Sequence, residues 1–350
     1  MKRPHIICLL LPLLWVLTGC HETKEYPDDP YGNFDALWSI IDKRYCFLEE
    51  KGIDWDFIGS RYRSLINPEM TLDEYFSLLG AMINELEDGH CNLSSGFNTT
   101  YYRRWWSDYP QDFDLRTLQQ YYLCFDWRTT SGIMYRNLTP DVGYIYYPSF
   151  ATTVSESGLD YILAWFSECK VLIIDIRDNG GGALTNIETF VGRFITEEVT
   201  GGYISHKTGP GHGDFSEPYR FTYKAATGRV GWRGKPLILL TNRSSYSAAN
   251  DFAAVMKSLP QTTVIGARTG GGGGAPFCAE LPNGWLIRFS ACPIYSPDGE
   301  CIEDGVDPTP GYECHSLTAD FAAGRDPILD LALSTARTLA AGVAVPTVKE

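Results

Sequence analysis

No run of lysine or arginine follows the first three residues, and 43 acidic residues outnumber 29 basic ones, for a formal charge of −14. A nucleic-acid groove needs a basic stripe to neutralise phosphates, so that class of partner is excluded. Cys-x-x-Cys pairs and Cys/His ligand spacings are missing as well, and no metal or other cofactor is expected. The absence of a G-x-G-x-x-G fingerprint or a P-loop Lys removes the usual phosphate cradles. The longest apolar run, Ile6 to Leu17, has about twelve residues, too few to cross a bilayer. No internal repeat is visible. Charged residues make up 21% and hydrophobic ones 44%, enough to bury one large core or two modest ones.

The N-terminus has an address-like pattern. Lys2 and Arg3 precede the apolar run, and Leu17-Thr18-Gly19-Cys20 follows it. Small residues before the cut suit a signal peptidase, and a Cys at the first mature position resembles the bacterial lipobox. The expectation is a signal peptide at 1–19, lipidation at Cys20 and an acidic tether at 20–33 carrying Glu22, Glu25, Asp28 and Asp29. The chain would then sit on the bacterial cell envelope, membrane-bound through its lipid. Eight cysteines follow Cys20, and they allow 105 pairings. Cys292 and Cys301 flank a turn at Ser296 to Gly299 and form the favoured pair.

Residues 34–100 read as a helical domain. Phe34, Leu37 and Ile41 share one helical face, a second helix covers Trp55 to Leu65, and a third opens on a Thr71/Glu74 capping box. Gly89 suits the left-handed residue that closes that helix, which sets His90 just beyond a fixed end. Residues 101–141 fit bridging strands and a loop. From 142 to 343 the pattern changes to buried strands alternating with helices: strands at Val142–Tyr147, Val171–Ile176, Pro236–Leu240 and Thr263–Ala267, helices at Leu159–Phe166, Leu184–Ile195 and Ser247–Leu259. Such alternation predicts α/β architecture with mostly parallel pairing. A later strand covers Trp285–Ile294, and Asp326-Pro327 starts a last helix.

Three segments carry chemistry. Ser247 stands between a buried strand and an Ala-rich helix, where free N–H groups face a developing anion; ordinary helix capping is the plain alternative. Asp175-Ile176-Arg177-Asp178-Asn179-Gly180-Gly181-Gly182 leaves a buried strand on three glycines, which can expose backbone N–H groups or merely turn tightly. Leu86-Glu87-Asp88-Gly89-His90 offers an imidazole. His206 and His212, in a Gly-rich stretch, read as surface loop.

Together these segments make residues 34–340 resemble the C-terminal processing and tricorn-type serine peptidases. LEDGH, GYIYYPSF, LIIDIRDNGGG, LLTNRSSYSAANDFA, VIGARTGGG and IEDGVDPTP carry the likeness. It implies a ClpP/crotonase-like βα core, hydrolysis of polypeptides or oligopeptides, and Ser247 as nucleophile, with Ser245 as runner-up. Backbone N–H groups of Ala248 and of Gly180 or Gly181 would form the oxyanion hole.

The sequence departs from the processing branch at the base. That branch places a Lys about 25 residues after the nucleophile, and here Gly272 stands in its place. Lys257 lies too far along the next helix to replace it. The tricorn-like branch uses the His of the DGH segment instead, so His90 is the expected base and Glu303, in Ile302-Glu303-Asp304-Gly305-Val306-Asp307-Pro308, the expected orienting carboxylate. The tricorn Ser before the His is Gly89 here, so Glu303 would act directly or through Ser94 or Ser95. The stretch between Cys91 and Asp141 is too short for the PDZ module of processing proteases, and none is expected. Because the same fold also serves binding proteins, a non-catalytic holder of peptides or hydrophobic ligands is the alternative.

Overall fold

The computed structural model describes residues 25–343; the signal segment and residues 20–24 of the proposed tether, Cys20 among them, lie outside these, and the end of the tether is corrected to helix from Pro30 onward. The molecule has an α/β core preceded by a helical region, and two sheets organise it. One is six-stranded in the order Arg128–Thr130, Ile133–Thr139, Val142–Tyr146, Val171–Asp175, Leu237–Thr241 and Thr262–Gly266. Its last four strands are parallel, as the βα alternation predicts, and an antiparallel hairpin extends the other edge.

The parallel strands are buried on both faces, which explains their unbroken apolar runs. Side chains alternate between two cores. Leu172, Ile174, Leu237 and Leu239 pack under the helices Glu156–Trp165, Leu184–Val191 and Ala248–Ser258. Val171, Ile173, Ile238 and Leu240 face the opposite way, toward the helix Pro327–Ala340. Asp326 caps that last helix by accepting from the Leu329 N–H.

The second sheet carries Asn92–Ser94, Leu286–Tyr295, Val199–Ile204 and Tyr219–Tyr223 in order, with Gly274–Glu280 also paired to Leu286–Tyr295. Its long strand supplies Ile287 and Phe289 to the core of the helices Pro30–Arg44, Trp55–Arg63 and Leu72–Asn84. Strands late in the chain thus share a core with its first helices, and the site lies along that seam. The Thr71/Glu74 capping box forms in full.

Two local expectations need correction, and the surface-loop reading of His206 and His212 is refined. The left-handed residue after the third helix is Glu87 (φ 48°), and Gly89 is not left-handed. Cys292 and Cys301 are both free thiols; the turn between them forms, and the chain pairs there through a Tyr295–Cys301 backbone bridge instead. His206 and His212 are anchored: His206 Nδ1 is 3.2 Å from Cys292 Sγ, and His212 Nε2 is 2.8 Å from Asp42.

Candidate active site

Ser247 stands at the N-cap of the helix Ala248–Ser258 but does not cap it, for its side chain makes no bond to the helix N–H groups. Its backbone takes φ 56° and ψ −125°, a sparsely populated conformation for a residue with a Cβ. The strained turn aims Oγ away from the helix, and Oγ lies 3.0 Å from His90 Nε2. That contact joins residues 157 apart in the chain. Ser245, by contrast, is fully buried and donates its hydroxyl to the Ile176 carbonyl at 2.8 Å.

The glycine segment runs beside this turn. Arg177 is buried and bonds bidentately to Asp175 and also to Asp326, which fixes the end of the strand Val171–Asp175. Asn179 donates to the Tyr147 carbonyl at 2.9 Å and accepts from Gly181 N–H at 3.0 Å. The Gly181 amide is therefore engaged, and the expectation narrows to Gly180 and Ala248, whose amides make no hydrogen bond among the described residues. Gly181 has another reason to be glycine. A Cβ there would fall 2.8 Å from Ser247 Cβ and 2.9 Å from Ala248 N.

His90 is held from behind. Its backbone N–H donates to Asp88 Oδ1 at 2.7 Å, and Asp88 Oδ2 accepts from Ser290 at 2.8 Å. Burial draws the imidazole pKa down to about 4, with Arg288 adding to the effect and Asp88 opposing it. Near neutral pH the ring is thus uncharged and has a lone pair to offer. Burial would raise Asp88 too, but Lys51 and His90 bring it below its ordinary value.

Glu303 does not sit where expected. It bonds Lys51 Nζ at 2.9 Å, and no hydrogen bond joins it to His90, whose Nδ1 has no partner of ordinary geometry among the described residues. Burial, and then repulsion from Asp88, raises the Glu303 pKa despite the ion pair. Ser94 and Ser95 do not mediate either: Ser94 accepts from Thr99, and Ser95 closes a turn with Asn98. Asp88, Ser290 and Lys51 are the neighbours that sequence reasoning missed. Only Asp88 gave a signal, through its place in the DGH motif.

At the position of the processing-branch Lys, Gly272 (φ +78°) has no room for a side chain. A Cβ would lie 2.5 Å from the Tyr246 ring. That ring packs edge-on to His90 and stacks on Trp105 at 4.0 Å between centroids. An aromatic wall thus fills the space a lysine would need.

Comparison with known proteins finds relatives in sequence and in fold. Residues 141–310 match peptidase family S41, and residues 26–84 match the tricorn protease C1 domain. A crystal structure of a candidate peptidase from Parabacteroides merdae shares 42% identity and superposes with a TM-score of 0.85, covering 91% of this chain and all of that one. The carboxy-terminal processing protease CtpB of Bacillus subtilis is 27% identical over 170 residues, 48% of this chain and a third (33%) of that protein's length. Mature CPAF, at 11% identity, shares the fold with a TM-score of 0.70 over 91% of this chain and 98% of its own.

Proposed function

The chain belongs to peptidase family S41, and on that premise we propose that it hydrolyses peptide bonds with Ser247 as nucleophile and His90 as base. The observation that carries this reading is the 3.0 Å contact between Ser247 Oγ and His90 Nε2. A hydroxyl is a weak nucleophile without a base in reach, and His90 is neutral in the cleft. Oγ attacks the carbonyl carbon while Nε2 takes its proton. The oxyanion of the tetrahedral intermediate accepts from the N–H groups of Ala248 and Gly180, donors each worth about 10²–10³ in rate. His90 then returns the proton to the departing amine, and a water deprotonated by the same ring releases the acyl group. Asp88 supports the imidazolium electrostatically. Glu303 belongs to the network behind it through Lys51.

A scaffold that only holds ligands has no need of a strained serine turned toward an imidazole, so the geometry counts against that alternative. A fluorophosphonate probe is expected to label the protein covalently, with labelling abolished in Ser247→Ala. Labelling that survives this change moves the nucleophile elsewhere.

The location proposed from the sequence, the bacterial envelope with a lipid on Cys20, rests on the lipobox-like segment alone. Incorporation of labelled palmitate that is lost in Cys20→Ser tests it.

A further inference from the structure

A second cavity, of about 420 Å³, lies where the loops after the strands Leu237–Thr241 and Thr262–Gly266 meet the segment around Tyr109. It shares no lining residue with the cleft in front of Ser247. Half-buried Arg243 forms part of its wall. Three bonds fix the guanidinium plane: Nε donates to the Trp105 carbonyl at 2.6 Å, and Nη1 to the Thr269 and Asp304 carbonyls at 2.9 and 3.3 Å. All three acceptors are backbone oxygens. Among the described residues this cation has no ion-pair partner, and its Nη2 makes no hydrogen bond. Burial lowers its pKa, and the charge of Arg268 adds to that, against Tyr109 and Asp304.

The rest of the wall carries charges of both signs that do not meet. Arg268 gives Nε and Nη2 to Asp307, which lies outside the lining, and keeps Nη1 open. Asp304 lends Arg243 its carbonyl, while its carboxylate has no ion-pair partner among the described residues. Glu313 reaches only His315, at 3.6 Å. Asp112, by contrast, is engaged twice, by the Ser316 N–H and by His315 Nδ1, each at 2.9 Å. Open guanidinium donors and open carboxylates thus line one cavity without pairing across it, and a ligand carrying both signs can engage both at once. Tyr109 and Ala267 add an apolar side.

We propose that this cavity binds a small zwitterion, a free amino acid or a short unblocked peptide, with its carboxylate on Arg243 and Arg268 and its ammonium on Asp304 and Glu313. A guanidinium whose plane is already fixed offers its remaining donors to a carboxylate at little ordering cost. The site goes beyond the peptidase reading and does not need hydrolysis, although peptide hydrolysis yields compounds of this class. Arg243 also ties it to the catalytic centre, for Trp105, whose carbonyl it holds, stacks on the ring of Tyr246 beside Ser247.

The test is isothermal titration of Ser247→Ala, which excludes turnover, with phenylalanine and the dipeptide Ala-Phe. Each is supplied with free ends, with its amine acetylated, or with its carboxylate amidated. The free forms are expected to bind at least about tenfold more tightly than either capped form, the scale of a charge-assisted bond. Two exposed positions serve as variants that leave the fold intact. Arg268→Gln is expected to shrink the advantage of a free carboxylate at least about threefold, and Glu313→Gln that of a free amine, each without changing the other ratio. Free and capped ligands that bind equally overturn the proposal, and so does dependence on one end alone. If both variants keep the original ratios, the ligand sits elsewhere, the cleft in front of Ser247 included, and the proposal falls. No binding at up to about 10 mM, weak even for a small ligand, also overturns it. A wild-type protein that cuts no peptide sinks the peptidase reading and leaves these titrations as they are.

Discussion

At the scale of single residues, the candidate site keeps competitors away from one hydroxyl. Ser247 does not cap its helix, Ser245 is tied to Ile176, and Gly272 gives its space to Tyr246. Gly272→Ala is expected to lower unfolding free energy by about 1–3 kcal/mol in urea titration, because the methyl strikes a buried ring and the positive φ disfavours it. With His90 as the proposed base, its titration sets the pH range. An imidazole with a pKa of about 4 is unprotonated from mildly acidic pH upward, so the acid limb of kcat/KM should lie well below the usual histidine value of about 6.5. An acid limb near 6.5 would mean that the free-enzyme imidazole is not desolvated. His90→Ala is expected to lower turnover by about 10⁴–10⁶, since members of such a unit fail together.

The residues readable from sequence were those whose neighbours in the chain define them. Ser247 precedes a helix, Gly180 follows a buried strand and His90 follows a helix end, all local facts. Glu303 was readable as a carboxylate near the site but not as the partner of Lys51, because that pairing depends on how two distant loops meet. A side chain's motif gives its neighbourhood, and its hydrogen bonds depend on packing.

At the scale of elements, periodicity succeeded where burial was two-sided or amphipathic and failed where glycine and proline broke it. The four parallel strands and the helices around them were legible. The strands Val199–Ile204 and Gly274–Glu280 were not, the first holding Gly201 and Gly202, the second opening on Gly274 and carrying Pro276 at a register shift. They pair because the strand Leu286–Tyr295 offers both its edges. The capping box is the converse case, fully local and fully readable. Thr71→Ala should cost about 1 kcal/mol, seen as a lower denaturation midpoint with unchanged activity at 25 °C, because the helix end at His90 is braced separately by Asp88.

For the whole molecule, the seam between the helical region and the α/β core is where stability and chemistry meet. Lys51 comes from the first part and Glu303 from the second, and their ion pair is nearly dry. Lys51→Met leaves Asp88 buried without the cation that favours its charge, and pushes Glu303, whose pKa burial already raises to about 8, further toward its protonated form. The expected loss is about 3–5 kcal/mol in chemical unfolding, with partial recovery on adding Glu303→Gln. A loss no larger than that of an exposed lysine would show that the pair does not join the two parts.

The contact between His90 and Ser247 bridges 157 residues, and this order has a bearing on biosynthesis. A ribosome delivers the imidazole early and the hydroxyl late, and the strand that braces the imidazole later still. On the proposed mechanism, a nascent chain therefore lacks the Ser247–His90 pair while most of it is still being made, which spares its own unfolded segments until late in synthesis.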